Sequence, residues 1–472
     1  MEKLSLKIDK FLFVLVAFLF AFIPLYPKFP LVNVAGTFVA IRLEDLFISL
    51  AVGLWVIKVI ISNNITFLLR DKINQAILVF FFIGCVSTFS AVFLTNSVNM
   101  HLSFFHLLRR VEFIVLLPVV ISVVTSKKRL IWILLILGAT ITAVCLYGLG
   151  QKYMDWPVIS TSNSEFAKGQ ILRLSPGARV NSTFAGHYDL AVFLAMALTI
   201  LTSIFFIVKR RFRVGIIGLG LLSTLILIMT AARQSFVAAF IGIILTLIVS
   251  KKKKYMLIFF IATAVILVYP SQLRDRFVST ITVNVLNLGQ RYESQTKDQQ
   301  IRSKLNIPTL AIKTSSTSAN TSTFASDSGA LASDITPGEP VDTTQLGVYR
   351  SFQIRLAVEW PRAIRAFLKN PFLGTGYSSI DIATDNDFLR SLGEVGILGT
   401  LALILIFVEI GKRLLNLAKS SSKLIRFFSS GVFAMMIGFI INGMFIDVFE
   451  ASKVASLFWM MLGLGLATDK FK

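Results

Sequence analysis

The chain has 472 residues, is 55% hydrophobic and only 15% charged, and contains 42 phenylalanines. A soluble domain is nearer a quarter charged, and repeated apolar runs of about 20 residues mark membrane-spanning helices, so composition excludes a soluble globular protein. The net charge of +22 does not point to nucleic acid. The basic residues sit in short loops between apolar runs, where orientation signals lie, and no zinc-finger spacing or aromatic–basic RNA motif occurs.

The sequence predicts an all-α polytopic membrane protein of about 12 spans. Lys3, Lys7 and Lys10 precede FLFVLVAFLFAF, which resembles a signal peptide. No small-x-small cleavage site follows, only PLYPKFP, so this run reads as an uncleaved first span. The next spans are expected near 42–61, 73–95, 104–124 and 129–148. After an external loop near 149–182, four more follow at about 183–207, 213–230, 234–250 and 255–270. Residues 1–270 thus hold nine spans, 271–387 form a large external loop, and 388–472 hold the last three. Those lie near 388–411, 426–446 and 453–468.

Within the large loop, 313–347 is rich in Ser, Thr and Ala. Such a composition cannot bury a core and reads as disordered. The segment 349–369 differs: Phe352, Leu356, Val358, Trp360, Ala363 and Phe367 describe an amphipathic helical stretch, with Pro361 marking a kink or a new start. Cys85 and Cys145 lie in separate apolar runs and read as packed thiols.

Alternate loops carry KVIISNNITFLLRDK, SKKR, KRRFR, SKKKK and GKRLLNLAKSSSKLIR. By the positive-inside rule these are cytoplasmic, as are both termini, and an even span count agrees. The opposite rim should then be poor in arginine. Yet Arg42, Arg109, Arg110, Arg179, Arg233 and Arg355 all map there, with Glu44, Asp45, Glu112, His187, Asp189 and the run Asp385-Asn386-Asp387. Ionisable groups at membrane depth are costly and are paired or functional. Both readings stay open for several of them. Arg42 can pair with Glu44 or Asp45, Arg109 or Arg110 with Glu112, and Arg390 with Glu394 four residues on. His187 can serve as a helix-end hydrogen-bonding group, and the Asp385–Asp387 run can cap the tenth span. Arg233 has no acid beside it in sequence. Unpaired arginines call for an anionic partner, and the planar guanidinium suits phosphate oxygens.

No phosphate-binding GxxxxGK[ST], no GxGxxG opening a helix, no metal-ligand spacing of His or Cys and no GxSxG elbow occurs. No cofactor is expected. What does occur is RLAVEWPRAIRAFLKNPFLGTGYSSI, with Arg355, Trp360 and the turn Asn370–Gly376, then Asp385-Asn386-Asp387-Phe388-Leu389 and Glu394-Val395-Gly396-Ile397-Leu398-Gly399. This order resembles the late signature of O-antigen ligases and Wzy-type polymerases. RVNSTFAGHYDLAVFL from Arg179 and TAARQSFVAAF around Arg233 are similar to two earlier elements of that family. The family's ligases carry a histidine, commonly given a catalytic role, where this chain has Asp385; the resemblance therefore leans toward the polymerase.

The resemblance implies a GT-C-like membrane glycosyltransferase without a metal. It would polymerise polyprenyl-diphosphate-linked oligosaccharide units at the outer face of the cytoplasmic membrane, Asp385 or Asp387 acting as base. Arg109, Arg110, Arg179, His187, Arg233, Arg355 and Asn386 would bind substrate. The implied partners are a lipid-linked donor and acceptor, the bilayer and other polysaccharide assembly proteins. A ligase that transfers glycan to a lipid or protein acceptor is the first alternative. A transporter of lipid-linked sugars is the second, although it would favour charges at the bilayer midplane over one rim. If 313–347 is a spacer, deleting most of it leaves glycan-chain lengthening in cells intact; loss of product would show that the segment has another role.

Overall fold

The computed structural model describes residues 2–33, 40–62, 69–159, 171–172, 174, 177–281, 355–380 and 383–471. The expected low-complexity segment 313–347 and the start of the amphipathic segment, 349–354, lie outside the described residues.

The chain is a helical bundle. Helix α1 spans Glu2–Leu25, and a short antiparallel pair, β1 (Pro30–Asn33) and β2 (Ala40–Arg42), leads into α2 (Leu43–Ile61). Next come α3 (Lys72–Phe89), prolonged by a π turn over Ser90–Leu94, α4 (Met100–Val123) and α5 (Lys127–Tyr153). A second small pair, β3 (Val158–Ile159) and β4 (Ile171–Leu172), precedes α6 (His187–Ile207). Then follow α7 (Arg210–Met229), α8 (Arg233–Val249), α9 (Met256–Val268) and α10 (Gln272–Ile281). After a π turn at Arg355–Glu359 come α11 (Trp360–Lys369), α12 (Asp387–Leu417), α13 (Lys423–Gly443) and α14 (Ser452–Ala467).

A helix stands at each of the twelve places where a span is expected. Eight are long and apolar enough to cross a membrane, or nine if α9 and α10, bent by 90° at their junction, form one broken span. The count of about twelve is not confirmed, and the reason is local. Helix α2 contains Glu44, Asp45 and Lys58, α4 contains Arg109, Arg110 and Glu112, and α8 is only 17 residues long. In α2 and α4 the charges interrupt the apolar run, and α8 stops short.

Helix α14 is the axis: 89% of its span is buried, against 17% for α7. It packs on α4 and α13, and its Phe458 stacks on Phe439 at 3.9 Å while Trp459 stacks on Phe407 at 5.8 Å. Helices α6, α8 and α13 pack mutually, and α3 packs on α12. At one end of the bundle Asp9 pairs with Lys58 and Arg129, and Arg413 with Asp71 and Asp469. That end collects the basic loops and brings the first and last helices together. The opposite end carries the N-termini of α6, α8, α12 and α14.

Helix α12 is broken near the site end. Gly396 has φ 65°, a left-handed value inside an otherwise helical run. A break frees backbone groups that lipid cannot satisfy. The loop Asn370–Gly376 satisfies them instead. Ile397 N–H donates to Pro371 O at 2.9 Å and Leu398 N–H to Phe372 O at 3.3 Å. In return Thr375 N–H donates to Gly393 O at 2.9 Å and Gly376 N–H to Glu394 O at 2.8 Å. Ser87 of α3 adds its hydroxyl to Leu373 O at 2.6 Å and to Glu394 O at 3.1 Å. The NPFLGTG turn is thus the other half of the broken helix. Gly374, at φ 71°, lies so close that a Cβ would meet the Gly396 nitrogen at 2.6 Å. Its lack of a side chain serves this backbone contact rather than approach to a substrate.

Gly396→Val is expected to lower the thermal midpoint in detergent, corresponding to about 3 kcal/mol or more, because it adds left-handed strain to a backbone clash. An unchanged midpoint would mean that the helix is continuous at this point.

Candidate functional site

Two polar assemblies lie at the site end, and they differ in sign. The first is cationic and is assembled from five separate stretches. Arg179 sits in the loop before α6. That loop is pinned by Gln151, whose side chain donates to Ser182 O at 2.9 Å and accepts from Ser182 N–H at 2.7 Å. Arg179 is 5% exposed, contacts His187 Nε2, and lies 5.9 Å from the Tyr188 ring. Arg233 is the first residue of α8, delivered by the tight turn in which Ala231 has φ 52°. It donates to Arg276 O at 3.2 Å and contacts Thr280 Oγ1, both on α10. Arg276, Arg355 and Arg179 all lie within electrostatic reach of Arg233, and Tyr188 is a common neighbour of Arg233 and Arg355.

Arg355 closes this group. It is 7% exposed and holds Asp385 with two contacts, Nε at 2.9 Å and Nη2 at 2.6 Å from Oδ2. Burial works against its charge, but Asp385, Tyr188 and Glu359 together outweigh it, so the guanidinium is held above its ordinary range. Asp385 itself has φ 48°, and its side chain is 28% exposed. It is therefore a carboxylate at the mouth of a group of four arginines, reachable from outside.

The second assembly is an ion-pair network around the broken helix, in which two arginines face three carboxylates. Arg390 meets Glu394 at 3.3 Å, Asp447 at 3.0 Å and Glu450 at 3.5 Å, and donates to Ile380 O at 3.0 Å. Arg110 pairs with Glu450, donates to Phe449 O at 3.2 Å, and lies 3.9 Å from Glu394. Asp447 also accepts from Thr384 N–H at 2.7 Å, which ties the loop before α12 to the turn after α13. A cavity of about 30 Å³ lies here, lined by Arg110, Tyr377, Asp387 and Glu394 among others. Burial pushes the Tyr377 phenol above its usual range, with Arg110 opposing.

The nine residues singled out from sequence therefore divide. Arg179, His187, Arg233, Arg355 and Asp385 come together. Asn386 is the N-cap of α12: its Oδ1 accepts from Phe388 N–H at 3.1 Å and Leu389 N–H at 3.0 Å. Asp387, expected as a second candidate base, is 5% exposed, and its Oδ2 accepts from Val448 N–H at 2.8 Å and Phe449 N–H at 3.1 Å. It clasps the turn between α13 and α14. Arg109, expected at the substrate, instead meets Asp45 at 2.9 Å and Glu112 at 3.7 Å. Arg110 belongs to the ion-pair network. Both have carboxylates within ion-pair distance and lie apart from the Arg233 group.

Sequence reasoning missed Arg276 and Tyr188. Arg276 stands in RDRF, just past the ninth expected span on the arginine-poor side, which was a readable signal. Tyr188 carried none, since an aromatic at a helix start has many uses. Also missed was Lys453, which is fully buried and donates to Thr183 O at 2.7 Å and Pro24 O at 3.3 Å. Among the described residues no group of three or more His, Cys, Asp or Glu is placed to hold a metal ion.

A multi-pass membrane protein with a cluster of four arginines at one end of its bundle fits a membrane enzyme that handles anionic substrates. Residues 218–404 match the family model described as O-antigen ligase. The match runs from α7 to the middle of α12 and includes Arg233, Arg276, Arg355, Asp385 and the broken helix. It supports an O-antigen ligase/polymerase-type family, one of membrane glycosyl-transferring enzymes. No curated protein matches the chain.

Arg390→Ala is expected to destabilise the protein by roughly 3–5 kcal/mol, since it strands Glu394 and Asp447 as unmatched buried charge. Arg390→Lys should recover part of this, and equal midpoints for wild type and Arg390→Ala in thermal unfolding would dissolve the network.

Proposed function

We propose that this chain is a GT-C-like polymerase that joins polyprenyl-diphosphate-linked oligosaccharide units into a surface polysaccharide. The observation that carries this reading is Asp385, held by Arg355 in a cluster that also gathers Arg179, Arg233 and Arg276. Four cations and one accessible carboxylate suit a reaction that needs an anion bound and a proton removed.

In this reading the diphosphate of the donor lies among the arginines, beside Tyr188 and His187. An acceptor sugar hydroxyl attacks the anomeric carbon of the donor. The bond from that carbon to the diphosphate oxygen breaks, and the lipid diphosphate leaves with the electron pair. The hydroxyl proton passes to Asp385. Arginines aimed at the departing diphosphate stabilise the charge that develops on it. The incoming diphosphate competes with Asp385 for Arg355, so donor binding loosens the carboxylate when a base is required. A direct displacement inverts the anomeric configuration.

The basic loops at the opposite end assign that end, with both termini, to the cytoplasm. In this reading the arginine cluster faces outward from the cytoplasmic membrane, where lipid-linked repeat units and other polysaccharide assembly proteins meet. The ligase reading rests on the description of the matched family, O-antigen ligase. It uses the same donor site and differs only in the acceptor.

Purified protein incubated with a synthetic polyprenyl-diphosphate oligosaccharide should yield a ladder of products; a single transfer to a foreign acceptor would favour the ligase. Asp385→Asn retains an acceptor for Arg355 but is a poor base. Its kcat should fall roughly 10²- to 10⁴-fold with insertion intact, and wild-type ladders from it would remove Asp385 from the chemistry. Arg233→Ala should raise KM for the donor roughly tenfold, the scale of one lost charged contact. An unchanged KM would take Arg233 out of the donor site.

A further inference from the structure

A lipid-linked donor has two parts, and the arginine cluster accounts only for the head. The same helices that carry the arginine cluster at one end enclose an apolar cleft toward the other. This cleft has a volume of about 300 Å³ and is bounded by α6, α7, α8 and α9. Its floor is α6, which packs on α7 on one side and on α8 on the other. Leu198 and Thr202 line the floor, Gly220 and Ile217 one wall, and Ile243 and Phe259 the other. Ile217 is 49% and Ile258 66% exposed, so the mouth opens on the apolar flank of the bundle.

Polarity inside the cleft is cancelled locally. Thr202 gives its hydroxyl to Leu198 O of its own helix at 2.8 Å and offers only its methyl to a guest. Gly220 leaves space that a side chain would fill: a Cβ built there meets nothing within 4 Å.

We propose that this cleft seats the distal part of the donor's polyprenyl chain. The occupant follows from continuity, given the donor reading above. His187 and Leu201 are both on α6, roughly 21 Å apart at ~1.5 Å per residue. Arg233 and Ile243 on α8 are ten residues, roughly 15 Å, apart by the same rise. A lipid whose diphosphate rests at the N-termini of α6 and α8 runs down these two helices, enters the cleft near the bilayer centre and continues beyond it. An ordinary phospholipid tail anchored at that rim ends near the midplane of a hydrocarbon core about 30 Å thick. A polyprenyl chain of many isoprene units does not. The cleft therefore discriminates tail length, and with it lipid identity, far from the reacting carbon.

Gly220→Trp fills the cleft without a backbone clash, and Gly218→Trp, on the same helix with equally open space but outside the cleft, is the control. A long-chain polyprenyl diphosphate with no sugar, bearing a photoreactive group at its far end, is cross-linked to the protein in nanodiscs. Labelled peptides are expected from α6 to α9 in wild type and Gly218→Trp, and not in Gly220→Trp. In the transfer assay, Gly220→Trp should raise KM roughly tenfold for long-tailed donor, the equivalent of about two unburied methylene groups, and leave a short-tailed donor unaffected. Labelling elsewhere, equal labelling of all three proteins, or labelling by photoreactive phospholipid that excess polyprenyl diphosphate does not displace would each overturn the assignment. Transfer with no cleft labelling refutes the tail site alone; cleft labelling with no transfer refutes the glycosyl-transfer reading alone.

Discussion

The pairing of the NPFLGTG loop with the broken helix α12 is the constraint on which the site end depends. A helix interrupted at membrane depth loses hydrogen bonds that no lipid can replace. Here the loss is made good by backbone from Pro371 to Gly376 and by Ser87 of α3. The exchange locks three things together: the loop that follows α11, the first turns of α12, and α3. It also fixes where Arg390 and Glu394 emerge, so the ion network is built on the break. Because Asp447 of that network holds Thr384 N–H, the position of Asp385 descends from the same backbone exchange.

The two polar assemblies divide labour by charge balance. Around Arg390 and Arg110 every cation has a carboxylate within ion-pair distance, and such a network gives register and rigidity. Around Arg233 the neighbours are other arginines, a backbone carbonyl and a hydroxyl, while two carboxylates, Asp385 and Glu359, lie near Arg355. Four like charges near one another cost free energy in the absence of an anion. In the proposed reading a bound diphosphate relieves that repulsion. The ion-pair network reaches this group through Asp447, which holds Thr384 next to Asp385.

Much of this was legible in the chain. Apolar runs of membrane length and the alternation of basic loops determined the class of fold, because hydrocarbon thickness and backbone hydrogen bonding leave few alternatives to spanning helices. The arginines on the sparsely basic rim were legible for the same reason: charge there is expensive enough to need a cause. The reach of the argument stopped at pairing. Arg109 and Arg179 look alike in sequence, each an arginine near a span end. Arg109 is neutralised by Asp45, a residue brought near by helix packing and not by spacing along the chain, whereas Arg179 meets His187.

The chain alone thus settled a many-helix membrane protein with an asymmetric distribution of charge and an O-antigen ligase/polymerase-like order of motifs. The tertiary structure decided which carboxylates are spent on clasps and caps, as at Asp387 and Asn386, and which one meets an arginine cluster. It also decided that the glycines of the late motif serve a broken helix. The reason is physical: hydrophobicity is a property each segment carries by itself, whereas a charge acquires its role only from the partner that the fold places beside it.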